Sequence, residues 1–318
     1  MALLNKKTVP YTDTVTDGQD PVPAIPIKCW GRVLLIAVIG VSVPSFLTAQ
    51  QDVAREGWRM VPMDPNMPMM PGLEGAVPVV GSFLPGLGIN PATIAEARPS
   101  ELVTLADGDT LDIAVSLVRR ELRGHETIMF GYNGQYPGPL IQVPKDATVI
   151  VRVANEIEMP TTIHWHGIRL ENRFDGVPGV TQPAIAPGDS FTYEVYVPDA
   201  GLFWYHPHVR EDVQQDLGLF GNMMVTPSEA EYYGPTNREV VFVLDDILMD
   251  DLGVLPWGDT APTHALMGRF GNVLMVNGET DHRLMARTGE VVRFFITNVA
   301  NSRTFNVTFG DAPVKLLA

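Results

Sequence analysis

Cysteine is nearly missing from this chain: 318 residues contain one, Cys29. A disulfide framework is therefore excluded. Clusters of Lys and Arg are also absent and the formal net charge is −15, which argues against a nucleic-acid partner. Long hydrophobic runs are scarce. The most apolar stretch, residues 33–43, is too short for a comfortable membrane span. Lys28 and Arg32 precede it and Leu47-Thr-Ala49 follows with small residues, the layout of a secretory signal. Residues 1–49 are expected to form a leader cleaved after Ala49, with an uncleaved anchor as the alternative. Either implies an exported protein, periplasmic or extracellular. Cys29 would depart with a cleaved leader, leaving no thiol for a disulfide or a metal.

The chain is rich instead in turn formers, with 29 Gly and 27 Pro, and 45% of its residues are hydrophobic. That balance suits a globular, all-β chain. Residues 50–108 show no sustained period and abound in Met, Pro and Gly. Met60, Met63, Met67, Met69 and Met70 crowd around Asp64. Thioethers suit Cu(I), but a Pro-rich leader packing its Met residues loosely is the plainer reading.

From Asp109 the pattern turns to short strands, expected at 111–120, 127–132, 140–143, 148–155, 161–166, 190–197, 201–206 and 221–226. Asn133-Gly134, Pro137-Gly138 and Pro187-Gly-Asp189 mark turns between them. This predicts a Greek-key β-sandwich over 109–227. A polar link follows, then a second series at 239–244, 273–276, 291–298 and 304–309. Val276-Asn-Gly278 echoes Tyr132-Asn-Gly134, and Val291-Val-Arg-Phe-Phe-Ile-Thr-Asn298 echoes Val149-Ile-Val-Arg-Val-Ala-Asn155. The second series holds about half the strands of the first, so 228–318 reads as a partial second domain of a longer, truncated protein.

Two stretches carry the chemistry: Thr161-Thr-Ile-His-Trp-His-Gly167 and Gly201-Leu-Phe-Trp-Tyr-His-Pro-His208. In a strand, residues i and i+2 share a face. His164 and His166 should therefore project together, as should His206 and His208 around Pro207. If the strands are neighbours, four imidazoles converge. Uncompensated, they would be costly to bury, and neutral imidazole is the commonest nitrogen ligand for Cu, Zn, Fe and Ni. A metal site outweighs chance spacing. His125, His264 and His282 stand alone and receive no ligand role.

His-Trp-His-Gly followed by Trp-Tyr-His-Pro-His resembles the first two copper-binding motifs of the multicopper oxidases, a family built of cupredoxin domains. Asn133-Gly-Gln-Tyr-Pro-Gly-Pro139, Asp175-Gly-Val-Pro-Gly-Val-Thr-Gln182 and Leu217-Gly-Leu-Phe-Gly221 extend the likeness. The resemblance implies a cupredoxin-like fold, with one complete domain and part of a second. It assigns His164 to type 2 copper and His166, His206 and His208 to type 3 copper, half of the imidazoles of a trinuclear cluster. The remainder would come from a missing C-terminal domain or a partner subunit. The family's His-x-x-His-x-His and His-Cys-His motifs do not appear here, and Pro207 cannot ligate, so type 1 ligands are absent.

The activity implied is one-electron oxidation of a phenolic or Cu(I) donor coupled to reduction of dioxygen to water, with this fragment alone inactive. An exported copper-binding or copper-tolerance protein without turnover is the alternative, and a structural cupredoxin-fold protein a third. Asp175 matches the acid that assists proton delivery in the family, and also reads as a turn Asp before Gly176. Trp165, Trp204 and Tyr205 read as packing that shields the cluster. Glu211, Asp212 and Asp216 follow His208 closely, and their pattern does not separate a solvated role from one behind the ligands.

Overall fold

Alternation of apolar and polar residues is what builds the sandwich. In the strand 148–155, Val149, Val151 and Val153 are fully buried while Arg152 and Ala154 face outward. The structure is a computed structural model that describes residues 83–229, 232–258, 264, 267–310 and 312–317, with strand pieces at 9–10, 25–26 and 28–30. The apolar run 33–43, the cleavage site at Ala49 and the Met cluster 60–70 lie outside the described residues.

In chain order come β1 (Val9–Pro10), which joins the first unit, β2 (Ile25–Pro26) and β3 (Lys28–Trp30), which pair with strands of the second, and then the first unit's β4 (Glu101–Thr104), β5 (Thr110–Leu122), β6 (His125–Tyr132), β7 (Leu140–Pro144) and β8 (Thr148–Asn155). That unit continues through β9 (His164–His166), β10 (Ser190–Tyr196), β11 (Gly201–His206), the single-turn helix α1 (Glu211–Gln214) and β12 (Gly221–Thr226). One sheet has the order β1-β4-β7-β12-β11-β9 and the other β10-β8-β5-β6. Between them lies one apolar core that includes Val149, Tyr193, Trp165, Tyr205 and Met223.

The sandwich begins earlier than the sequence predicts. Glu101–Thr104, assigned above to the Met/Pro/Gly-rich segment 50–108, pairs in parallel with β7. Arg98 and Gln135 form a further bridge ahead of it. Among the described residues the fold is nearly all β, as expected, with helix confined to α1, two 3-10 turns and the helical positions His264 and Met267.

The second unit comprises β13 (Arg238–Ile247), β14 (Met249–Asp250), β15 (Gly253–Val254), β16 (Val273–Val276), β17 (Arg283–Leu284), β18 (Val292–Asn298) and β19 (Asn306–Thr308). Its main sheet runs β16-β13-β18. β13 pairs antiparallel with β16 and parallel with β18, as β5 pairs antiparallel with β6 and parallel with β8. The faint sequence repeat is thus a repeat of topology.

The matching turns agree in detail. Asn133 and Asn277 both take positive φ, 54° and 51°. Each accepts on its side-chain oxygen from a strand N–H, of Ala114 and Val243, and donates to the carbonyl two residues earlier, of Asp112 and Val241. Asn tolerates this left-handed conformation better than most residues.

The two units share buried surface. Val243, Ile247, Trp257, Val273 and Val299 join the core of the first. Polar groups are buried here too. Asp216 pairs with Arg269 at 3.3 Å, Arg303 donates to Asp246 at 2.5 Å, and the Tyr136 hydroxyl donates to Asp245 at 3.0 Å. Burial pushes the Asp245 carboxyl up to about 7. The sequence reading ended this strand at Leu244, and these partners for Asp245 and Asp246 let β13 run on to Ile247.

The pieces ahead of the apolar run form short edge pairs. β1 adds to β4, β2 to β17 and β3 to β19, which sets Cys29 opposite Val307. Open sheet edges carry unpaired backbone groups that extended segments satisfy.

Candidate metal centre

β9 and β11 are neighbouring antiparallel strands, with His164 opposite His206, Trp165 opposite Tyr205 and His166 opposite Trp204. The period-2 rule sends Trp165 and Tyr205 into the core, where both are fully buried. It sends His164, His166, Trp204 and His206 to the other face. Trp204 lies flat on His206, with centroids 4.0 Å apart and planes at 13°, and tilts over His166 at 4.9 Å.

His208 arrives differently from the sequence expectation. β11 stops at His206 because Pro207 has no N–H for a ladder, so no shared strand face aligns His206 with His208. The chain turns, and the His208 N–H donates to Thr162 Oγ1 at 3.1 Å, tying the turn back to the lead-in of β9. That lead-in is itself irregular: the expected strand 161–166 is regular only over His164–His166. Thr161 Oγ1 donates to Gln214 Oε1 at 2.8 Å, fastening α1 to the same segment.

All four imidazoles meet. Ring centroids are 5.5 Å apart for His164 and His206, 4.6 Å for His164 and His208, 5.2 Å for His206 and His208, and 5.5 Å for His166 and His206. Ring nitrogens of His164, His206 and His208 lie within 4.8 Å of one another. His166 Nδ1 is 3.3 Å from His206 Nε2.

Hydrogen bonds fix which nitrogen is free. His164 Nδ1–H donates to the Asp175 carbonyl at 2.6 Å, and His206 Nδ1–H to the Pro207 carbonyl at 3.0 Å. A carbonyl only accepts, so these nitrogens carry the proton and Nε2 remains a lone-pair donor. His208 Nδ1 is 3.1 Å from Glu211 Oε2.

Burial, reinforced by the neighbouring His164, His208 and His166, pushes the His206 imidazolium down to about 3. Burial also lowers His166, with His164 and His208 adding to the shift and Glu211 opposing it. His208 is lowered by burial against the pull of Glu211. These rings are therefore neutral, the state a metal requires. Neutral nitrogen donors with outward Nδ1–H groups satisfied by the protein fit copper.

Asp175 caps a short 3-10 turn, Asn172–Phe174. Its carboxylate Oδ1 is 3.4 Å from His164 Nδ1 and its side chain is partly exposed. The contact depends on Gly176, whose φ is +77° and where a Cβ would meet the Ile163 carbonyl oxygen at 1.9 Å. Gly176→Ala is expected to destabilise the protein by on the order of 1–3 kcal/mol and to lift Asp175 off His164. Urea denaturation checks this, and an unchanged midpoint would contradict it. His264 lies beside Arg269 and His282 beside Glu279, and neither they nor His125 belong to the cluster.

Fold and site together define a cupredoxin-like β-sandwich carrying an imidazole cage on one sheet. Residues 96–230 match the family model described as multicopper oxidase. Copper resistance protein A of Pseudomonas syringae pv. tomato is 32% identical over 164 residues, 51% of this chain and 26% of that protein. The multicopper oxidase MmcO of Mycobacterium tuberculosis is 39% identical over 221 residues, 59% of this chain and 42% of that one. The crystal structure of a multicopper oxidase from Pseudomonas thermotolerans superimposes with a TM-score of 0.52 at 31% identity, covering 63% of this chain and 47% of that structure. This segment of the chain is thus similar to the multicopper oxidases. It spans less than half the length of these relatives.

Proposed function

We propose that His164, His166, His206 and His208 supply half of the ligand set of a trinuclear copper cluster, His164 to type 2 copper and the other three to type 3 copper. The observation that carries this reading is the meeting of ring nitrogens from His164, His206 and His208 within 4.8 Å, with His166 against His206. In this reading residues 109–227 are the cluster-bearing domain and 228–318 part of a second cupredoxin domain. Further polypeptide, of the same protein or a partner subunit, supplies the remaining ligands. The protein is exported, to the periplasm or beyond, under the leader 1–49.

Bound copper supplies one-electron redox chemistry that couples oxidation of a phenolic or Cu(I) donor to reduction of dioxygen to water. The chain's own residues provide the setting. Trp204 shields two of the imidazoles from water on one side. Asp175 fixes His164 through its carbonyl and holds a carboxylate beside it. Dioxygen reduction consumes a proton with each electron, and a partly exposed carboxylate is suited to pass protons inward. A type 1 site needs a thiolate, and the one cysteine, Cys29, lies within the leader 1–49.

Copper titration tests the proposal. This chain should bind copper without an intense blue thiolate band and without oxidase turnover, and a blue band from the chain alone would overturn the missing type 1 site. A second reading, copper holding without turnover, is favoured by the similarity to copper resistance protein A. Restored turnover when a His-Cys-His-bearing domain is supplied would decide against it.

A further inference from the structure

We propose that Glu211 is a positioning residue: its carboxylate holds His208 in the one tautomer and orientation that offers Nε2 to copper. This rests on the copper reading above. The Nδ1–H groups of His164 and His206 are held by the backbone carbonyls of Asp175 and Pro207. His208 faces a side chain instead, with Nδ1 at ion-pair distance, 3.1 Å, from Glu211 Oε2.

The turn between the two is built to make this contact. Arg210 sits in the left-handed region, φ 44° and ψ 53°, a conformation costly for a residue with a Cβ. That kink folds Glu211 back onto a ring three residues earlier. Arg210 grips Asp212 with two bonds of 2.9 Å, so Asp212 is occupied and Glu211 is the acid left for the imidazole. Both ends of the turn are anchored. The His208 N–H is held by Thr162, and Asn301 of the second unit donates to the Asp212 carbonyl at 2.7 Å.

The chemistry follows from the imidazole ring. A carboxylate accepting from Nδ1–H selects the Nδ1–H tautomer, turns the ring and raises the donor strength of Nε2. Without an acceptor both tautomers coexist, and one of them presents an N–H to the metal.

The test uses the full chain with Glu211→Ala and Glu211→Gln. Long-range proton–nitrogen correlation spectra read the His208 tautomer without metal, and competition with a chelator reads copper affinity. Wild type should show Nδ1–H alone and E211A a mixture. E211Q should keep Nδ1–H, because its amide oxygen still accepts. Copper affinity should fall about 10–100-fold in E211A and recover to within about threefold of wild type in E211Q.

A single Nδ1–H tautomer in E211A, or copper bound by E211A as tightly as by wild type, overturns the proposal. A tautomer mixture in E211A together with copper uptake indifferent to His206→Ala supports the Glu211–His208 contact and overturns the copper site alone.

Discussion

His206→Ala should reduce copper affinity by more than about 100-fold, beyond the loss expected for an outer hydrogen-bond partner. His206, like His164, is close to each of the other three rings, and it alone is stacked flat under Trp204. It is also the most buried of the four, at 4% exposure. An alanine there removes the donor facing His166 and releases the surface against which Trp204 lies. The remaining rings still meet through His164, 4.6 Å from His208 and 5.5 Å from His166, but the buried donor they share is gone. His125→Ala is the matched control, since that residue starts β6 away from the cluster, and it should bind copper as wild type does. Titration with retained far-UV circular dichroism makes the comparison. Equal affinity in the His206 variant would remove the site from these strands.

Trp165→Ala should cost about 3–5 kcal/mol of folding stability, lowering the melting temperature by roughly 6–20 °C in a domain of this size. Trp165 lies in the middle of β9, fully buried against Tyr193 and Tyr205 at 5.8 and 5.7 Å. Its ring is what presses a three-residue strand onto the core. Because His164 and His166 flank it, copper affinity should fall in parallel. Trp165→Phe separates packing from polarity. The indole Nε1 is buried without a hydrogen-bond partner among the described residues, so a phenyl ring loses volume but no bond. It should cost less than half as much as alanine. Equal losses for the two variants would show that ring packing is not the cause.

Much of this architecture was readable beforehand, and the reasons are local. β5, β8 and β10 alternate enough for period 2 to place them, β6, β7, β11 and β12 are short apolar or aromatic runs between turn signals, and Asn133-Gly134 marks its own turn. His164 and His166 announce themselves because His-x-His in a strand shares one face, whereas His208 reaches the cage through the turn after Pro207. Other features were hidden. β4 is four residues with no alternation to detect. Asp245 and Asp246 look like the end of a strand until Tyr136 and Arg303, distant in sequence, reach them. Glu211 could not be ranked above Asp212 or Asp216, because the decision rests on the backbone of Arg210, a residue type that seldom bends that way. Asp175 holds His164 through its carbonyl, an atom every residue has, so only the adjacent Gly176 signals that the approach must be close.

The paired asparagine corners at Asn133 and Asn277 have a further implication for where the chemistry sits. What is copied between the two units is the β8-β5-β6 arrangement, whereas the imidazoles ride on the opposite layer, β12-β11-β9. The repeated pairing and the imidazoles thus occupy separate layers of the first unit, so the corner that is shared with the second unit carries none of the metal-facing side chains.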